Sequence, residues 1–266
     1  MKIIIAGSNT RGCESVVKRL NMSKLYSVLN EKKLIENWDD NYSLMVDSGA
    51  HSYNKKHEHL GMKSNAKLKP AEDFLKDYFK LIKKHKDKKV VWVELDVYKD
   101  LPESVLDRFY NDVMDLGIAG KLIRVYHWYN DPREGDYTTL EKWINQGQKY
   151  IGLGADNLKN FDDIFSMTKN EVKYHGFALT RIPVIEKYPF YSVDSTSPLS
   201  TVIFGRYTRP ILAFNEREDI LKSKSIECYH EDEERLENAI LETKQTEEYI
   251  TKLWQKRGVT WEDVSF

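Results

Sequence analysis

The stretch VVWVELD at residues 90–96 is a short, nearly continuous apolar run that ends in a carboxylate. A run of this length and composition is typical of a strand buried on both faces in a parallel sheet. Residues 71–84 before it and 106–114 after it carry apolar side chains at helical spacing, and Gly117 closes the second segment. The sequence therefore predicts a sheet of parallel strands joined by helices.

The same alternation continues outward in both directions along the chain. Together with 90–95, strand-like runs are predicted at residues 3–6, 44–46, 122–126, 150–153, 173–177, 191–193 and 210–213. Eight such runs separated by helical patterns predict an α/β fold, a (β/α)8 barrel, with a doubly wound open sheet as the alternative. We expect residues 1–266 to form a single barrel domain.

Two segments depart from this alternation. Residues 54–69 are polar, basic and rich in turn-forming residues, which predicts a long loop after the second run. From Glu231 the chain is strongly charged, and residues 231–257 predict one terminal helix packed across the barrel. The expected apolar stripe of that helix is Leu236, Ala239, Ile240, Tyr249, Ile250 and Leu253.

Composition excludes several classes of protein. Lys and Arg total 41 against 42 for Asp and Glu, so the net charge of -1 disfavours a general polyanion-binding surface but permits a local basic groove. The two cysteines, Cys13 and Cys228, provide neither a disulfide framework nor a structural zinc pair. The apolar run at 3–6 is too short for a signal sequence or a membrane span. We therefore expect a cytoplasmic protein with no membrane contact.

Carboxylates follow three of the predicted strands. Asp47, Asp96 and Asp194 each stand where a strand is expected to end, as do His127 and the turn at 152–154. In (β/α)8 barrels the active site lies at this edge, because the loops there converge. The alternative for each aspartate is a helix cap. If Asp96 faces the barrel interior, strand alternation also points Glu94 inward.

The surroundings of these carboxylates indicate a type of chemistry. Small residues follow Asp47 in the run DSGAHS at 47–52, which permits a ligand to approach the backbone, and hydroxyl side chains surround Asp194 in YSVDSTS at 191–197. Paired carboxylates suit displacement at an anomeric carbon, in which one attacks and the other protonates the leaving group.

Five motifs in order carry a family resemblance: DSGAHS at 47–52, LDV at 95–97, GLG at 152–154, HGF at 175–177 and SVDSTS at 192–197. Together they resemble the tRNA-guanine transglycosylase superfamily, in particular its compact phage-type branch. That branch includes DNA guanine transglycosylases, which exchange guanine for a 7-deazaguanine base. The resemblance covers about residues 1–205 and leaves the terminal helix outside.

The resemblance implies roles for matching positions. Asp194 corresponds to the nucleophile that attacks C1′ of the nucleoside, and Asp47 to the general acid and base. Asp96 corresponds to the carboxylate that accepts hydrogen bonds from N1–H and the exocyclic amine of a guanine-like base. Further substrate contacts are expected from Ser48, Gly49, His51, His127, Gly152, Leu153, Gly154 and His175.

The sequence also departs from the family. His51 stands where the tRNA enzymes carry an aromatic residue that stacks on the base, and their cysteine-histidine zinc site is missing. We therefore expect no metal and no cofactor. The length beyond the barrel leaves no room for an appended RNA-binding domain, so DNA and a free 7-deazaguanine base are the expected partners, with tRNA as the alternative.

Other readings of the function and of single residues stay open. The chain is alternatively a barrel enzyme of another phage base hypermodification step, or a non-catalytic nucleic-acid-binding subunit. Arg11, Lys55 and Lys56 are expected to contact a nucleic-acid backbone, with a solvated loop as the alternative. The pair His57 and His59 favours a solvated loop over a metal site. Tyr126 and Trp128 either line the cavity or stack on an unpaired base, or they serve in core or rim packing. For His175 the alternative to substrate contact is a buried, hydrogen-bonded histidine.

Overall fold

The structure of the protein is a computed structural model, which describes residues 1–7, 13–28, 38–39, 43–50, 53, 70–97, 101–128, 137–168, 170–199 and 232–262. Its sheet is built from short parallel strands of four or five residues. In chain order the strands are β1 Lys2–Ile5, β2 Ser23–Ser27, β3 Leu44–Asp47, β4 Val90–Val93, β5 Leu122–Tyr126, β6 Tyr150–Leu153, β7 Lys173–Gly176 and β8 Ser192–Ser195.

These strands form a closed barrel in which hydrogen-bonded neighbours follow chain order and β8 returns to β1. The closing pair is parallel, with Ile3 opposite Val193 and Ile4 opposite Asp194. The predicted (β/α)8 barrel is therefore confirmed, and the open doubly wound sheet is wrong.

The strand that the sequence analysis missed is β2. It pairs with β1, placing Lys24 opposite Ile5, and it fills the place that had been given to an eighth run at 210–213. Residues 210–213 lie outside the described residues, and the ring is complete without them. Lys24 interrupts the apolar pattern of β2, yet it is buried and donates a hydrogen bond to the carbonyl of Gly7.

Helices follow most of the strands. Within the described residues they are α1 Cys13–Arg19, α2 Ala71–Lys84, α3 Glu103–Asp115, α4 Thr138–Asn145, α5 Phe161–Thr168, α6 Ile182–Lys187 and α7 Asp232–Lys256. The helix α2 shows why the periodicity predicted them: Phe74, Tyr78 and Ile82 are buried on one face, while the charged residues lie outside.

The chain divides into two compact units, one of residues 1–25 and 153–262 and the other mainly of residues 26–152. In the first unit an aromatic cluster fills the space around α5, where Phe161 and Phe165 pack against Phe190 and Tyr188. The edge of the Phe165 ring also meets Tyr174 of β7. This cluster supports the strands that carry His175 and Asp194.

The second unit has its own apolar core between β3, β4 and the helices α2 and α3. The ring of Tyr78 packs edge-on against Trp92 and is stacked on Phe109. Burial of Trp92 and Tyr78 removes two large apolar surfaces from water. Each burial stabilises the fold by on the order of 2–3 kcal/mol of transfer free energy. This core fixes the ends of β3 and β4.

The predicted terminal helix is present as α7, which packs against β1, α1 and α6. Leu236, Ile240 and Ile250 of the expected stripe are buried. Tyr249 is an exception, because it is 39% exposed and donates a hydrogen bond to Glu186 instead. No helix in the described ranges combines the length and apolar composition needed to cross a bilayer.

Candidate functional site

Several predicted site residues cannot be placed. Arg11, His51, Lys55 and Lys56 lie outside the described residues, as does the loop at 54–69 with its pair of histidines. The other predicted residues are described, and their contacts fall into two groups, one in each unit.

In the first unit, the carboxylate of Asp194 is fixed through one oxygen. Oδ1 accepts a hydrogen bond from the backbone N–H of Ala178 at 2.9 Å and lies 3.2 Å from Nε2 of His175. Among the described residues Oδ2 accepts no hydrogen bond, and 12% of the side chain is exposed. The described residues therefore hold this carboxylate through Oδ1 and leave Oδ2 without a hydrogen bond.

His175 lies behind this carboxylate. Its ring has no exposed surface, and Nδ1 lies 2.7 Å from the hydroxyl of Ser192 while Nε2 faces Asp194. The imidazole has no exposed surface of its own and adjoins Asp194, and the expected direct contact of His175 with substrate stays a prediction. The alternative of a buried, hydrogen-bonded histidine describes it.

Ser192, His175 and Asp194 form a hydrogen-bonded series that resembles a serine nucleophile arrangement in composition. In such an arrangement the serine is accessible, whereas here Ser192 and His175 are both fully buried and the side chain of Asp194 is partly exposed. A serine nucleophile must reach a substrate, so the group offers the carboxylate as its reactive end.

The glycine turn at 152–154 is hydrogen-bonded through Leu153 to the residue that follows β7. The carbonyl of Leu153 accepts the N–H of Phe177 at 2.9 Å, and that of Gly154 accepts the N–H of Asn157 at 3.1 Å. Gly152 and Leu153 are buried, and Gly154 is partly exposed. The expected contact of this turn with a base stays a prediction, since the carbonyl of Leu153 has a second lone pair beside the one that accepts the N–H of Phe177.

In the second unit, Asp96 and His127 form the closest pair. Nε2 of His127 lies 2.6 Å from Oδ2 of Asp96, and the side chains are 16% and 18% exposed respectively. His127 directly follows β5, and Asp96 comes just after β4, which pairs with β5 in parallel. Both residues were predicted at strand ends, and the structure brings their side chains into contact.

Glu94 does not point with Asp96 as the alternation argument expected. Its carboxylate lies 3.3 Å from Nε of Arg124 and accepts the N–H of Val125 at 3.0 Å. The guanidinium of Arg124 lies over the ring of Trp143 on α4, so this ion pair occupies the layer between sheet and helices. The chain turns after β4, where the N–H of Val97 donates to the carbonyl of Leu95, and this turn breaks the alternation.

Asp107 connects the buried ion pair of Glu94 and Arg124 to the partly exposed Lys142. Asp107 accepts hydrogen bonds from Arg124 at 3.2 Å and from Lys142 at 2.9 Å. Desolvation alone would raise the pKa of Asp107, but the hydrogen bond from Lys142 and the charge of Arg124 outweigh it and lower the pKa. Asp107 therefore stays ionised, and its contact with Arg124 holds β5 to α3.

Asp47 is the last residue of β3, and the hydroxyl of Ser48, which follows it, is hydrogen-bonded within the fold. Asp47 is half-buried at the end of β3. Ser48 is buried; its hydroxyl donates to the carbonyl of Glu94 at 2.9 Å and accepts the N–H of Ala50 at 3.4 Å. The expected substrate contact of Ser48 stays a prediction, with its hydroxyl already hydrogen-bonded within the fold. Gly49 has φ of 83°, a left-handed conformation that glycine adopts without strain.

A buried tyrosine supports the same strand ends. The hydroxyl of Tyr78 donates to the carbonyl of Val93 at 2.6 Å. Burial, aided by the negative charge of Asp47, raises the pKa of Tyr78 well above its usual value, so the phenol stays protonated as a donor.

Two contributors to the site were missed by sequence reasoning. The backbone N–H of Ala178 carries no residue signature, although its φ of 53° is unusual for a side chain with Cβ. Arg124 was visible as a charge inside the apolar run at 122–126, a pattern that indicates a buried partner. Within the described ranges, no three His, Cys, Asp or Glu side chains group as metal ligands.

Hydrogen-bond contacts therefore fix the orientation of two of the predicted carboxylates, Asp194 in the first unit and Asp96 in the second. Asp194 offers one oxygen and is held through the other, and Asp96 is oriented by His127. In comparisons with known proteins, no family model, no curated protein and no solved structure matches this chain.

Proposed function

We propose that this protein is a base-exchange transglycosylase that replaces guanine by a 7-deazaguanine base in DNA through a covalent aspartyl-glycosyl intermediate. The observation that carries the proposal is the fixation of Asp194 through Oδ1, with Oδ2 accepting no hydrogen bond from the described residues. A carboxylate held in this way attacks a carbon centre with one defined oxygen, which is what nucleophilic catalysis at C1′ requires.

The proposed reaction has two displacements. In the first, Oδ2 of Asp194 bonds to C1′ while the bond from C1′ to N9 breaks, and its electron pair leaves with guanine, which Asp47 protonates. In the second, a nitrogen of the incoming base attacks C1′, the bond to Oδ2 breaks, and the electron pair returns to Asp194 as Asp47 takes the proton. Two inversions retain the configuration of the sugar.

Base recognition is assigned to Asp96. Its carboxylate presents acceptors to N1–H and the exocyclic amine of a guanine-like base, and the contact with His127 fixes its orientation before the base arrives. In duplex DNA the target base must leave the stack before it reaches such a carboxylate.

The test is incubation of the protein with DNA, and separately with tRNA, together with a labelled 7-deazaguanine base. We expect label in DNA nucleosides by mass spectrometry, and a covalent protein–DNA species when the free base is omitted. Asp194→Asn should abolish both signals. Asp112→Asn, an exposed aspartate on α3, is the matched control and should leave both unchanged.

The outcomes separate the alternatives. No label in either nucleic acid and no covalent species would overturn the proposal. A covalent species without base incorporation would instead favour another base modification step. Nucleic-acid binding that survives Asp194→Asn, with neither signal in the wild type, would favour a binding subunit.

A further inference from the structure

The imidazole of His175 is buried between two polar partners. Nδ1 lies 2.7 Å from the hydroxyl of Ser192, and Nε2 lies 3.2 Å from Oδ1 of Asp194. An ionised carboxylate has only lone pairs to offer, so a favourable contact needs a proton on Nε2. The hydroxyl of Ser192 then donates to Nδ1 of a neutral ring, which satisfies both nitrogens.

We propose that His175 is a positioning residue that donates from Nε2 to Oδ1 of Asp194 and thereby speeds release of the sugar from the covalent intermediate. The proposal rests on the function proposed above. Its structural basis is that the N–H of Ala178 and Nε2 of His175 address the same carboxylate oxygen, which assigns the other oxygen to bond formation.

The hydrogen bond from His175 to Oδ1 of Asp194 matters most in the second half-reaction, in which the covalent intermediate breaks down. Once Oδ2 is bonded to C1′, Oδ1 becomes the carbonyl oxygen of an ester. When the incoming base attacks, the bond from C1′ to Oδ2 breaks and its electron pair restores the carboxylate, so negative charge develops on Oδ1. Two fixed N–H donors stabilise that charge without reorganisation. Loss of one donor therefore slows the second half-reaction.

Ser192 affects Asp194 indirectly, through its contact with His175. If its hydroxyl donates to Nδ1, it selects the ring tautomer that carries a proton on Nε2. Ser192 lies opposite His175 in the register of β7 and β8, so this contact belongs to the sheet itself. Exposure of Asp194 alone among the three excludes a role for Ser192 as nucleophile.

The decisive variants are His175→Leu, which removes the donor with little loss of volume, and His175→Gln, whose amide restores an N–H near the position of Nε2. Rapid-quench measurements would follow formation of the protein–DNA adduct and its decay after addition of free base. We expect adduct decay to slow roughly 10- to 100-fold in His175→Leu, the range of one hydrogen bond to a charged group, and to return to within about threefold in His175→Gln.

A merely structural role predicts a different pattern. Equal adduct decay in His175→Leu and wild type, or no recovery in a folded His175→Gln, would overturn the proposal. If His175→Leu does not fold, Ser192→Ala provides the milder perturbation and should slow decay in the same direction. Unchanged decay in a folded Ser192→Ala would then contradict the assignment.

Nitrogen-15 NMR of the labelled imidazole tests the geometry without any activity. A proton on Nε2 supports the proposal, whereas a ring protonated on Nδ1 alone overturns it. Because this measurement needs no substrate, it tests the donor geometry of His175 even if the wild type forms no adduct, an outcome that would count against the proposed function.

Discussion

His127 and Asp96 lie in contact, with Nε2 of the imidazole 2.6 Å from Oδ2 of the carboxylate. Both side chains keep some exposure, so the pair is accessible to a ligand while its orientation is set from within the unit. A carboxylate that is pre-oriented loses less conformational entropy when it binds a base than one that rotates freely.

We therefore expect His127→Phe to weaken binding of the incoming base about tenfold, and to leave the rate of adduct formation nearly unchanged at saturating DNA. His127→Gln, which keeps an N–H donor, should recover most of the affinity. The KM of the free base in the exchange assay measures the effect. Equal KM values in wild type and His127→Phe would remove the orienting role.

A second prediction concerns the ion pair between Glu94 and Arg124, both fully buried. Replacing Arg124 by Met leaves Glu94 as an uncompensated charge, which costs about 3–5 kcal/mol of unfolding free energy. The double variant Glu94→Gln with Arg124→Met removes both charges and should recover much of that loss. Urea denaturation of the three proteins measures both effects.

Lys142→Met is the control for that series. Lys142 binds the outer oxygen of Asp107, and its side chain is 39% exposed, so we expect a loss below about 1 kcal/mol. A loss in Lys142→Met as large as that in Arg124→Met would mean that the network is stabilised from its exposed end.

The barrel itself was predictable because most strands are apolar runs with helices between them. The exception, β2, shows the limit of local pattern. Lys24 is buried in this strand, and one contact that stabilises it there is the carbonyl of Gly7, which belongs to the neighbouring segment after β1. A sequence pattern contains no information about that partner.

For the site, positions were predictable and contacts were not. Asp47 and Asp96 stand at or near strand ends, and Asp194 lies within β8 one residue before its end. The donor from Ala178 is a backbone group set by the turn after β7. Glu94 departs from the expected direction because the chain turns after β4 and because Arg124, on the next strand, provides a buried partner.

A third prediction follows from Glu247 on α7, which accepts the N–H of Ile3 at 2.5 Å. Burial raises the pKa of Glu247 above its ordinary value of 4.5. The folded protein therefore binds more protons than the unfolded chain between 4.5 and the raised pKa, so this group lowers stability as pH rises through that window. Glu247→Gln should raise the melting temperature at pH 8 and leave it nearly unchanged at pH 4.

Glu248→Gln is the matched control, since Glu248 is the exposed neighbour on the same helix. Thermal unfolding at the two pH values should show no pH-dependent gain for it. A gain at pH 8 shared by both variants would assign the effect to the net charge of α7 rather than to the buried carboxylate.

The last prediction concerns the close approach of β7 to β8 at Gly176. A Cβ added there would lie 3.1 Å from one side-chain atom each of Leu179, Phe190 and Val193. Gly176→Ala should therefore cost about 1–3 kcal/mol of unfolding free energy through overpacking.

Gly120→Ala is the comparison, because a Cβ at Gly120 meets no atom within 4 Å. We expect a change within about 0.5 kcal/mol for it by denaturant unfolding. Gly176 stands next to His175 in β7, and its register partner Val193 stands next to Asp194 in β8. Displacing the two strands therefore lengthens the contact from His175 to Asp194, so Gly176→Ala should also slow adduct decay. Unchanged stability in Gly176→Ala would mean that the two strands have room to separate.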